Sequence, residues 1–370
     1  MQNRNIKYLF AAGGTGGHLF PAIAIADEIK RLQPGAEILF VGTKNKIEAR
    51  VVPQKGYNFK TIWISGFQRS LQIQNLLFPI KVIVAMFQSL NILKKFRPDL
   101  VIGTGGYVSG PILFVASILG IKTVMHESNS YPGAVTRWLA KRVKKVFLTF
   151  EETKQYLTTE INVEVVGNPT RDVLDKVNRT EAIRFFGLDE NIKTLLVFGG
   201  SLGSVSINNA ILKNIEKLIT KNIQVIWQTG ERDYERIEKE LINTKVNTSI
   251  GVLLVKFIES MEYAYNAADV VLCRAGATTI AELTRIGKPA ILVPYPYAAA
   301  DHQTMNAKTL ANAGAALMLT DKEIDDKLEN TVLHLINNDD VRQKMSERSK
   351  NLGQPQAALN ITKKIFTMVN

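Results

Sequence analysis

The chain has 370 residues, 46% of them hydrophobic, and its 46 Lys and Arg exceed its 34 Asp and Glu to give a formal net charge of +12. This length favours two domains over one core, and the single cysteine, Cys273, excludes a disulfide framework and favours a reducing compartment. The excess charge lies in the first half, where residues 1–170 hold 21 basic against 10 acidic residues, a balance of +11. No aromatic–basic interleaving or zinc spacing accompanies it, so we predict no nucleic-acid partner; an anionic membrane surface, or no partner at all, would explain the charge.

Short β-branched runs alternate with helical stretches, a pattern typical of parallel sheets with crossover helices. Seven predicted strands come first: KYLFAA, AEILFVG, FKTIWIS, DLVIG, KTVMHE, KKVFLTF and VEVVG. Five more follow: TLLVFGG, IQVIWQT, GVLLVKF, DVVLCR and PAILVPY. The prediction is an α/β protein with two Rossmann-like, doubly wound domains. The turn Gly167-Asn168-Pro169 marks the boundary, giving domains 1–169 and 170–353, and residues 354–370 form a final amphipathic helix.

Four glycine-rich turns each follow a predicted strand and precede a helix: Gly13–His18, Gly103–Pro111, Gly199–Ser204 and Arg274–Glu282. Backbone N–H groups at such turns can approach an anion, and the helix dipole favours it. The first turn has neither the glycine spacing of a dinucleotide fold nor the Gly-Lys-Ser/Thr ending of a P-loop. Because ligands in open parallel sheets bind beyond the carboxyl ends of the strands, we expect the four turns, two per domain, to face a shared cleft.

The segment 71–97 is apolar, but its longest unbroken run, VIVAMF, is far shorter than the ~20 residues that span a bilayer. Four residues follow helical spacing along one stripe: Leu76, Ile80, Ile83 and Phe87. Lys81, Lys94, Lys95 and Arg97 lie nearby, and Asp99 is the only acid between Val51 and His126. We interpret the stripe as a membrane-facing interfacial patch. The alternative is a core helix packed on the sheet.

Seven motifs, in this order, resemble the MurG-type family of bacterial peptidoglycan glycosyltransferases: GGTGGH, GTGGYVSGP, HESN, GNPTR, GGSLGS, CRAGATTIAE and HQTMNA. The resemblance implies a glycosyltransferase-B fold with the C-terminal helix packed back on the N-terminal domain. It implies inverting β-1,4 transfer of N-acetylglucosamine from UDP-GlcNAc to undecaprenyl-diphospho-N-acetylmuramoyl-pentapeptide. Such a protein is expected to be peripheral, at the cytoplasmic face of the bacterial plasma membrane. Ser128 and Leu202 stand where Gln is common in the family, so we assign no donor contact to either.

The resemblance also implies substrate-binding residues. Glu282 would accept hydrogen bonds from the ribose hydroxyls, Ile258 would hold the uracil through backbone groups, and Gln303 would contact sugar hydroxyls. Ser201 would donate to the diphosphate, and Arg171 would stabilise the leaving diphosphate unless it is a solvated surface charge. The remaining members of this predicted site are Thr15, Gly16, Gly17, Asn129, Ala277, Thr278, Thr279, Ile280 and Ala281.

His18 is the predicted catalytic base, because an imidazole with a pKa near 6.5 suits proton removal from the acceptor hydroxyl. A structural histidine that caps the turn is the alternative interpretation, and Glu127 is a second candidate for the base. The chain contains no Asp-x-Asp pair of the kind that holds a divalent ion in many sugar-nucleotide transferases. We therefore expect no metal and no cofactor.

Three other functions stay open at this point. A UDP-sugar 2-epimerase would keep the fold, and a transferase with a diacylglycerol or small-molecule acceptor would keep the donor site. A non-enzymatic basic protein bound to membrane or nucleic acid would leave the four glycine-rich turns unexplained.

Overall fold

The computed structural model describes residues 5–66, 77–243, 251–298 and 301–369. It divides into two compact units, one of Met1–Arg171 with Gln354–Asn370 and one of Asp172–Gly353. The division falls two residues after the Gly167-Asn168-Pro169 turn at which the sequence predicts a boundary.

The first unit is a seven-stranded, wholly parallel sheet in the order β3-β2-β1-β4-β5-β6-β7. Its strands are β1 (Lys7–Ala11), β2 (Glu37–Gly42), β3 (Asn58–Thr61), β4 (Leu100–Gly103), β5 (Lys122–Glu127), β6 (Lys145–Leu148) and β7 (Val163–Val165). Its helices are α1 (Gly16–Leu32), α2 (Ile47–Gln54), α3 (Phe78–Phe96), α4 (Ser109–Ile118), α5 (Ala134–Leu139) and, at the C-terminus, α14 (Ala357–Val369). Helix α14 packs against α1, and Ile361 and Ile365 join the core of this unit.

The second unit is a six-stranded parallel sheet in the order β10-β9-β8-β11-β12-β13. Its strands are β8 (Lys193–Phe198), β9 (Ile223–Gln228), β10 (Val252–Val255), β11 (Val270–Cys273), β12 (Ala290–Leu292) and β13 (Leu317–Met318). Its helices are α6 (Arg179–Phe186), α7 (Val205–Thr220), α8 (Tyr234–Asn243), α9 (Met261–Ala267), α10 (Ala277–Ile286), α11 (His302–Asn312), α12 (Ile324–Ile336) and α13 (Asp339–Leu352).

Each sheet is buried on both faces, which explains why its central strands read as continuous apolar runs. Successive residues of β1 enter different cores: Tyr8 and Phe10 pack with α1 on one face, and Leu9 and Ala11 pack on the other. Strand β8 divides its residues between two cores in the same way. Because the strands are apolar on both sides, helices cover both faces of each sheet.

The strand order places the glycine-rich turns. In the first unit, the turns after the adjacent strands β1 and β4 lie at the point where the winding reverses, and in the second unit the turns after β8 and β11 do the same. Such switch points are where open α/β sheets bind ligands. All twelve predicted strands are present, so the predicted α/β class with two parallel sheets is confirmed; the two-residue β13 was missed because it is too short to carry a pattern.

Candidate functional site

His18 lies in the first turn of α1, directly after the first glycine-rich turn. Its Nδ1 is 3.2 Å from the carbonyl oxygen of Thr104, and the Thr104 hydroxyl donates to the His18 carbonyl at 2.7 Å. A carbonyl can only accept, so Nδ1 carries the proton in the neutral ring and Nε2 keeps its lone pair. Thr104 therefore sets the tautomer that a base acting through Nε2 requires.

Glycines are required where the second turn meets the first. A Cβ on Gly105 would lie 2.4 Å from His18 Nδ1, and a Cβ on Gly106 would lie 2.3 Å from the Gly13 carbonyl oxygen. Both glycines also have positive φ, 104° and 77°, which side chains disfavour. The close approach of the two turns holds the imidazole in place.

Glu48, the second residue of α2, is a fully buried carboxylate that the sequence did not single out. It accepts hydrogen bonds from the Gly14 N–H (3.1 Å), the Thr43 N–H (3.0 Å) and the Thr43 hydroxyl (2.7 Å). The Gly14 amide is thus committed to a carboxylate rather than open to a phosphate. A negative charge beneath this turn favours a cation beside it over an anion.

Both histidines of this unit, the half-buried His18 and the buried His126, are shifted towards the neutral form. Burial lowers the pKa of His18, and the carboxylates of Glu127 and Glu48 oppose that shift in part. Burial lowers the pKa of His126 to about 4, although its Nε2 donates to the Gly167 carbonyl at 3.1 Å. At neutral pH the His18 ring is therefore ready to accept a proton.

Glu127, the alternative base, is buried at the end of β5 and is fully engaged. It accepts from the backbone and side-chain N–H groups of Asn129 (both 3.0 Å), the Gly133 N–H (2.9 Å) and the Thr136 hydroxyl (2.6 Å). These bonds hold the turn after β5 and orient Asn129. The geometry favours His18 over Glu127 as the base.

The other predicted residues of the first unit lie at or near the start of α1. Thr15 is its exposed N-cap, and Gly16 and Gly17 open the helix. Arg171 is buried, with its guanidinium carbon 4.8 Å from the centre of the Phe20 ring on α1. The alternative interpretation of Arg171 as a solvated surface charge is therefore wrong.

In the second unit, the predicted diphosphate contacts surround two helix starts. Ser201 is half-buried in the turn that leads to the N-cap of α7, Ser204, whose hydroxyl accepts from the Ile207 N–H. Gly276 is the N-cap of α10, so Ala277, Thr278 and Thr279 form its first turn. The N–H groups of a first turn have no partner within the helix and point towards an anion. Ile280 is a core residue, and Ala281 is half-buried.

Glu282 requires a correction. The sequence suggested a loop–helix junction, but α10 already begins at Ala277, which places Glu282 in the second turn and buries it. Its Oε2 accepts from the Tyr265 hydroxyl at 3.0 Å. Sequence reasoning misplaced the helix start because the small residues at 275–277 resemble a continuing turn.

Two further predicted contacts are tied to neighbours. Ile258 is buried in the core, and its backbone N–H donates to the side-chain oxygen of Gln228 at 2.8 Å. The Gln228 amide nitrogen donates to the Gly200 carbonyl at 2.9 Å, so this side chain joins the turn after β8 to the segment at Ile258. The side-chain oxygen of Gln303 accepts from the Tyr295 N–H at 2.9 Å.

Arg274 links the turns at the carboxyl ends of four neighbouring strands, and sequence reasoning gave it no role. It follows β11, and its guanidinium donates to the Asp321 carboxylate (2.5 and 3.1 Å), the Pro294 carbonyl (2.9 Å) and the Ser206 hydroxyl (2.8 Å). These partners come after β13, β12 and β8. A polar residue that ends an apolar strand, as in DVVLCR and IQVIWQ, was the available signal for both Arg274 and Gln228.

Helix α3 exposes the predicted apolar stripe. Ile80, Ile83 and Phe87 are 51%, 55% and 67% exposed, while Leu76 lies outside the described residues. The buried face of α3 is formed instead by Ala85, Ser89 and Leu93. The alternative interpretation of the stripe as core is therefore wrong for its three described members.

Lys81 follows Ile80 on α3 and contacts residues that precede the helix. Its ammonium donates to the Ser65 hydroxyl at 3.0 Å and lies 5.8 Å from the ring centre of Trp63, which is itself exposed. An aromatic ring, apolar side chains and a base thus share one surface. Across the described ranges, no helix is both long and apolar enough to cross a bilayer. Over the same ranges, no three His, Cys, Asp or Glu side chains form a cluster that would hold a metal ion.

Two parallel sheets with glycine-rich turns at each switch point are an arrangement that binds ligands beyond the strand ends, and comparison with protein families gives the class of enzyme. Residues 8–148 match the glycosyltransferase family 28 N-terminal domain, and residues 194–361 match the glycosyltransferase family 28 C-terminal domain. The chain therefore belongs to glycosyltransferase family 28. The class of enzyme predicted from the motifs is confirmed.

Individual relatives narrow the comparison. A protein of Flavobacterium psychrophilum, 41% identical over 98% of each chain, is named UDP-N-acetylglucosamine–N-acetylmuramyl-(pentapeptide) pyrophosphoryl-undecaprenol N-acetylglucosamine transferase. The crystal structure of Acinetobacter baumannii MurG is 27% identical, with a TM-score of 0.71 over 98% of this chain and 99% of that one. The resemblance to MurG-type enzymes is thereby confirmed. A structure assigned as a UDP-N-acetylglucosamine 2-epimerase from Listeria monocytogenes also has a TM-score of 0.71, over 98% and 96% of the chains, but at 13% identity it shows the fold alone.

Proposed function

We propose that the protein transfers N-acetylglucosamine from UDP-GlcNAc to undecaprenyl-diphospho-N-acetylmuramoyl-pentapeptide, forming a β-1,4 bond with inversion in peptidoglycan synthesis. The observation that carries this proposal is the 41% identity to a relative of that name over 98% of both chains. The site agrees with it, because a fixed imidazole and two helix starts provide a base and places for an anion.

His18 is the proposed base. The acceptor 4-hydroxyl oxygen attacks the anomeric carbon, its proton passes to Nε2 of His18, and the bond from the anomeric carbon to the diphosphate oxygen breaks to release UDP. The Thr104 carbonyl holds the proton on Nδ1, so Nε2 is the nitrogen that accepts. The buried charges of Glu48 and Glu127 stabilise the imidazolium that results.

The second unit is proposed to bind the donor. Ala277, Thr278 and Thr279 would offer the N–H groups of the α10 start to the diphosphate, and Ser201 would add its hydroxyl. Glu282 would accept from the ribose hydroxyls. Backbone groups at Ile258 would hold the uracil, and the Gln303 amide would contact the sugar. Arg171 of the first unit is proposed to stabilise the departing diphosphate.

We propose further that neither a metal nor a cofactor takes part. The chain has no Asp-x-Asp pair, and helix starts and a guanidinium can stabilise a leaving diphosphate without an ion. Activity that persists unchanged in excess EDTA would support this proposal, and loss of activity restored by Mg²⁺ would contradict it.

Peripheral binding to the cytoplasmic face of the bacterial plasma membrane is also proposed. Its support is the exposed stripe Ile80, Ile83 and Phe87 on α3, the exposed Trp63 and the basic side chain of Lys81. Each base near an anionic surface contributes about 1 kcal/mol. A lipid-linked acceptor would be presented at such a surface.

The decisive experiment is transfer of radiolabel from UDP-GlcNAc to a lipid-linked muramoyl-pentapeptide analogue, with UDP-glucose as the control donor. We expect labelled disaccharide lipid from UDP-GlcNAc and little from UDP-glucose. The second candidate, a 2-epimerase, shares the fold. Free N-acetylmannosamine released from UDP-GlcNAc without any acceptor would favour it over transfer.

A further inference from the structure

Tyr265 of α9 is a fully buried residue whose polar end meets the proposed ribose-binding carboxylate. Its ring lies in the apolar core of the second unit, edge-on to Phe198 with ring centres 6.0 Å apart. Its hydroxyl lies 3.0 Å from Oε2 of Glu282, and both groups are buried. A hydroxyl placed so deep is costly unless it has a partner, and a carboxylate is a strong one.

The Tyr265 ring belongs to an apolar core that also contains Ile280 and Leu283 of α10, so its hydroxyl reaches Glu282 from the interior of the unit. Cys273, at the end of β11, is buried in the same core, and burial followed by the Glu282 charge raises the pKa of its thiol. A hydrogen bond to one oxygen from the interior restricts rotation of the carboxylate plane.

We infer that Tyr265 is a positioning residue that determines the preference of the donor site for a ribonucleoside diphosphate over a deoxyribonucleoside diphosphate. Its hydroxyl donates to Oε2 of Glu282 and so fixes the orientation in which the carboxylate meets the ribose hydroxyls. The gain is pre-organisation, because the carboxylate does not have to be ordered when the nucleotide binds. This inference rests on the proposed function, in which Glu282 binds the ribose.

The test is calorimetry with UDP and with 2′-deoxy-UDP on the full chain and on Tyr265→Phe, which removes only the hydroxyl. We expect the wild-type protein to bind UDP at least about tenfold more tightly than 2′-deoxy-UDP. Tyr265→Phe should lose about threefold to tenfold in UDP affinity. Its affinity for 2′-deoxy-UDP should fall much less, so that the ratio of the dissociation constant of 2′-deoxy-UDP to that of UDP decreases towards one. If Tyr265 merely stabilised the fold, Tyr265→Phe would reduce the affinities for both nucleotides by the same factor.

Tyr8→Phe is the matched control. Tyr8 is also fully buried, and its hydroxyl donates to Gln33 at 3.1 Å in the first unit. This variant should leave both affinities unchanged. Glu282→Gln provides a second measurement that keeps Tyr265 intact. If Tyr265 acts through Glu282, adding Tyr265→Phe to Glu282→Gln should cost clearly less UDP affinity than it costs in the wild-type protein.

Two failures can be told apart. If the wild-type protein bound UDP and 2′-deoxy-UDP equally tightly, Glu282 would not contact the ribose, and this part of the proposed donor site would be wrong. A wild-type preference that Tyr265→Phe leaves at the same ratio would overturn the inference about Tyr265 alone. Fully additive losses in the double variant would overturn it as well.

Discussion

At the scale of single residues, hydrogen-bond partners decide what each polar group can do. His18 and Glu127 are both acid–base candidates by residue type. The His18 ring is held by the Thr104 carbonyl through Nδ1 and keeps the lone pair on Nε2, whereas the Glu127 carboxylate already accepts four hydrogen bonds. Glu48 accepts the Gly14 N–H, so this amide of the first glycine-rich turn is engaged by a carboxylate of the chain itself.

His18→Ala should lower kcat by about 10²- to 10⁴-fold, the usual contribution of a general base. The affinity for UDP should change little, because His18 lies in the first unit. Of the contacts proposed for UDP, only that of Arg171 lies in this unit, and the others lie in the second. Steady-state kinetics and calorimetry on the same preparation measure the two effects. If turnover and UDP affinity fell together, His18 would be a residue that shapes the turn.

The pH profile adds an independent check on His18. A base works only when it is deprotonated, and burial lowers the pKa of His18 below its ordinary value. The acid limb of kcat should therefore lie below pH 6.5, and activity should persist into mildly acidic solution. Glu48→Gln removes a charge that favours the protonated ring, so it should move this limb to still lower pH. A limb above pH 7 would contradict the assignment.

Glu282→Gln should weaken UDP binding roughly tenfold to a hundredfold, since a hydrogen bond to a charged group contributes about 1.5–3 kcal/mol. Gln is preferred over Ala because Glu282 is buried against Tyr265, and truncation would remove the carboxylate to which that hydroxyl donates. Glu28→Gln is the control, a buried carboxylate of the first unit that pairs with Arg31. An unchanged dissociation constant for UDP in Glu282→Gln would exclude this residue from the site.

At the scale of elements, α3 has two faces of different chemistry. Small or apolar residues at intervals of four, Ala85, Ser89 and Leu93, pack inwards, whereas Ile80, Ile83 and Phe87 face solvent. Three large apolar side chains that are each at least half exposed on one helix form a surface of the kind that proteins use to contact a membrane or another molecule.

Replacing both Ile80 and Ile83 with Ser should weaken co-sedimentation with anionic vesicles several-fold, because apolar area available to the interface is lost. The melting temperature should stay nearly constant, since exposed substitutions usually change stability by less than about 0.5 kcal/mol. Ile242→Ser is the control, an isoleucine 73% exposed on α8 of the second unit. Vesicle binding equal to the wild type in the double variant would argue against membrane contact through α3.

At the scale of the whole molecule, buried titratable groups link stability to pH. His126 has an unfolded pKa near 6.5 and a folded pKa of about 4, because burial disfavours its charged form. The unfolded state therefore binds the proton first. The stability that His126 contributes is fully present above pH 6.5 and is lost as pH falls towards 4.

Between pH 7.5 and pH 5 this linkage should cost about 2 kcal/mol of unfolding free energy in the first unit. His126→Gln, which retains an N–H donor for the Gly167 carbonyl, should show a correspondingly smaller loss. Urea denaturation at the two pH values measures the difference. Parallel losses in the two proteins would mean that His126 does not titrate during acid unfolding.

Local sequence patterns were sufficient to predict the two parallel sheets. Short runs rich in apolar and β-branched residues identified every strand except β13, and the glycine-rich turns identified the switch points. Both signals lie within a few consecutive residues, and burial on both faces of a parallel sheet requires them. The start of α10 was placed wrongly because a helix beginning among small residues leaves no local sign.

The sequence by itself thus determined the α/β class, the two parallel sheets, the position of the glycine-rich turns and the family. Only the tertiary structure decided which nitrogen of His18 carries the proton in the neutral ring, that Glu127 is already engaged, and that the described part of the stripe on α3 faces solvent. It alone revealed Glu48, Gln228, Arg274 and Tyr265, whose partners are 34, 30, 47 and 17 residues away along the chain. The physical reason is that apolar periodicity is a local property, whereas a buried polar group is defined by the partner that the fold brings to it.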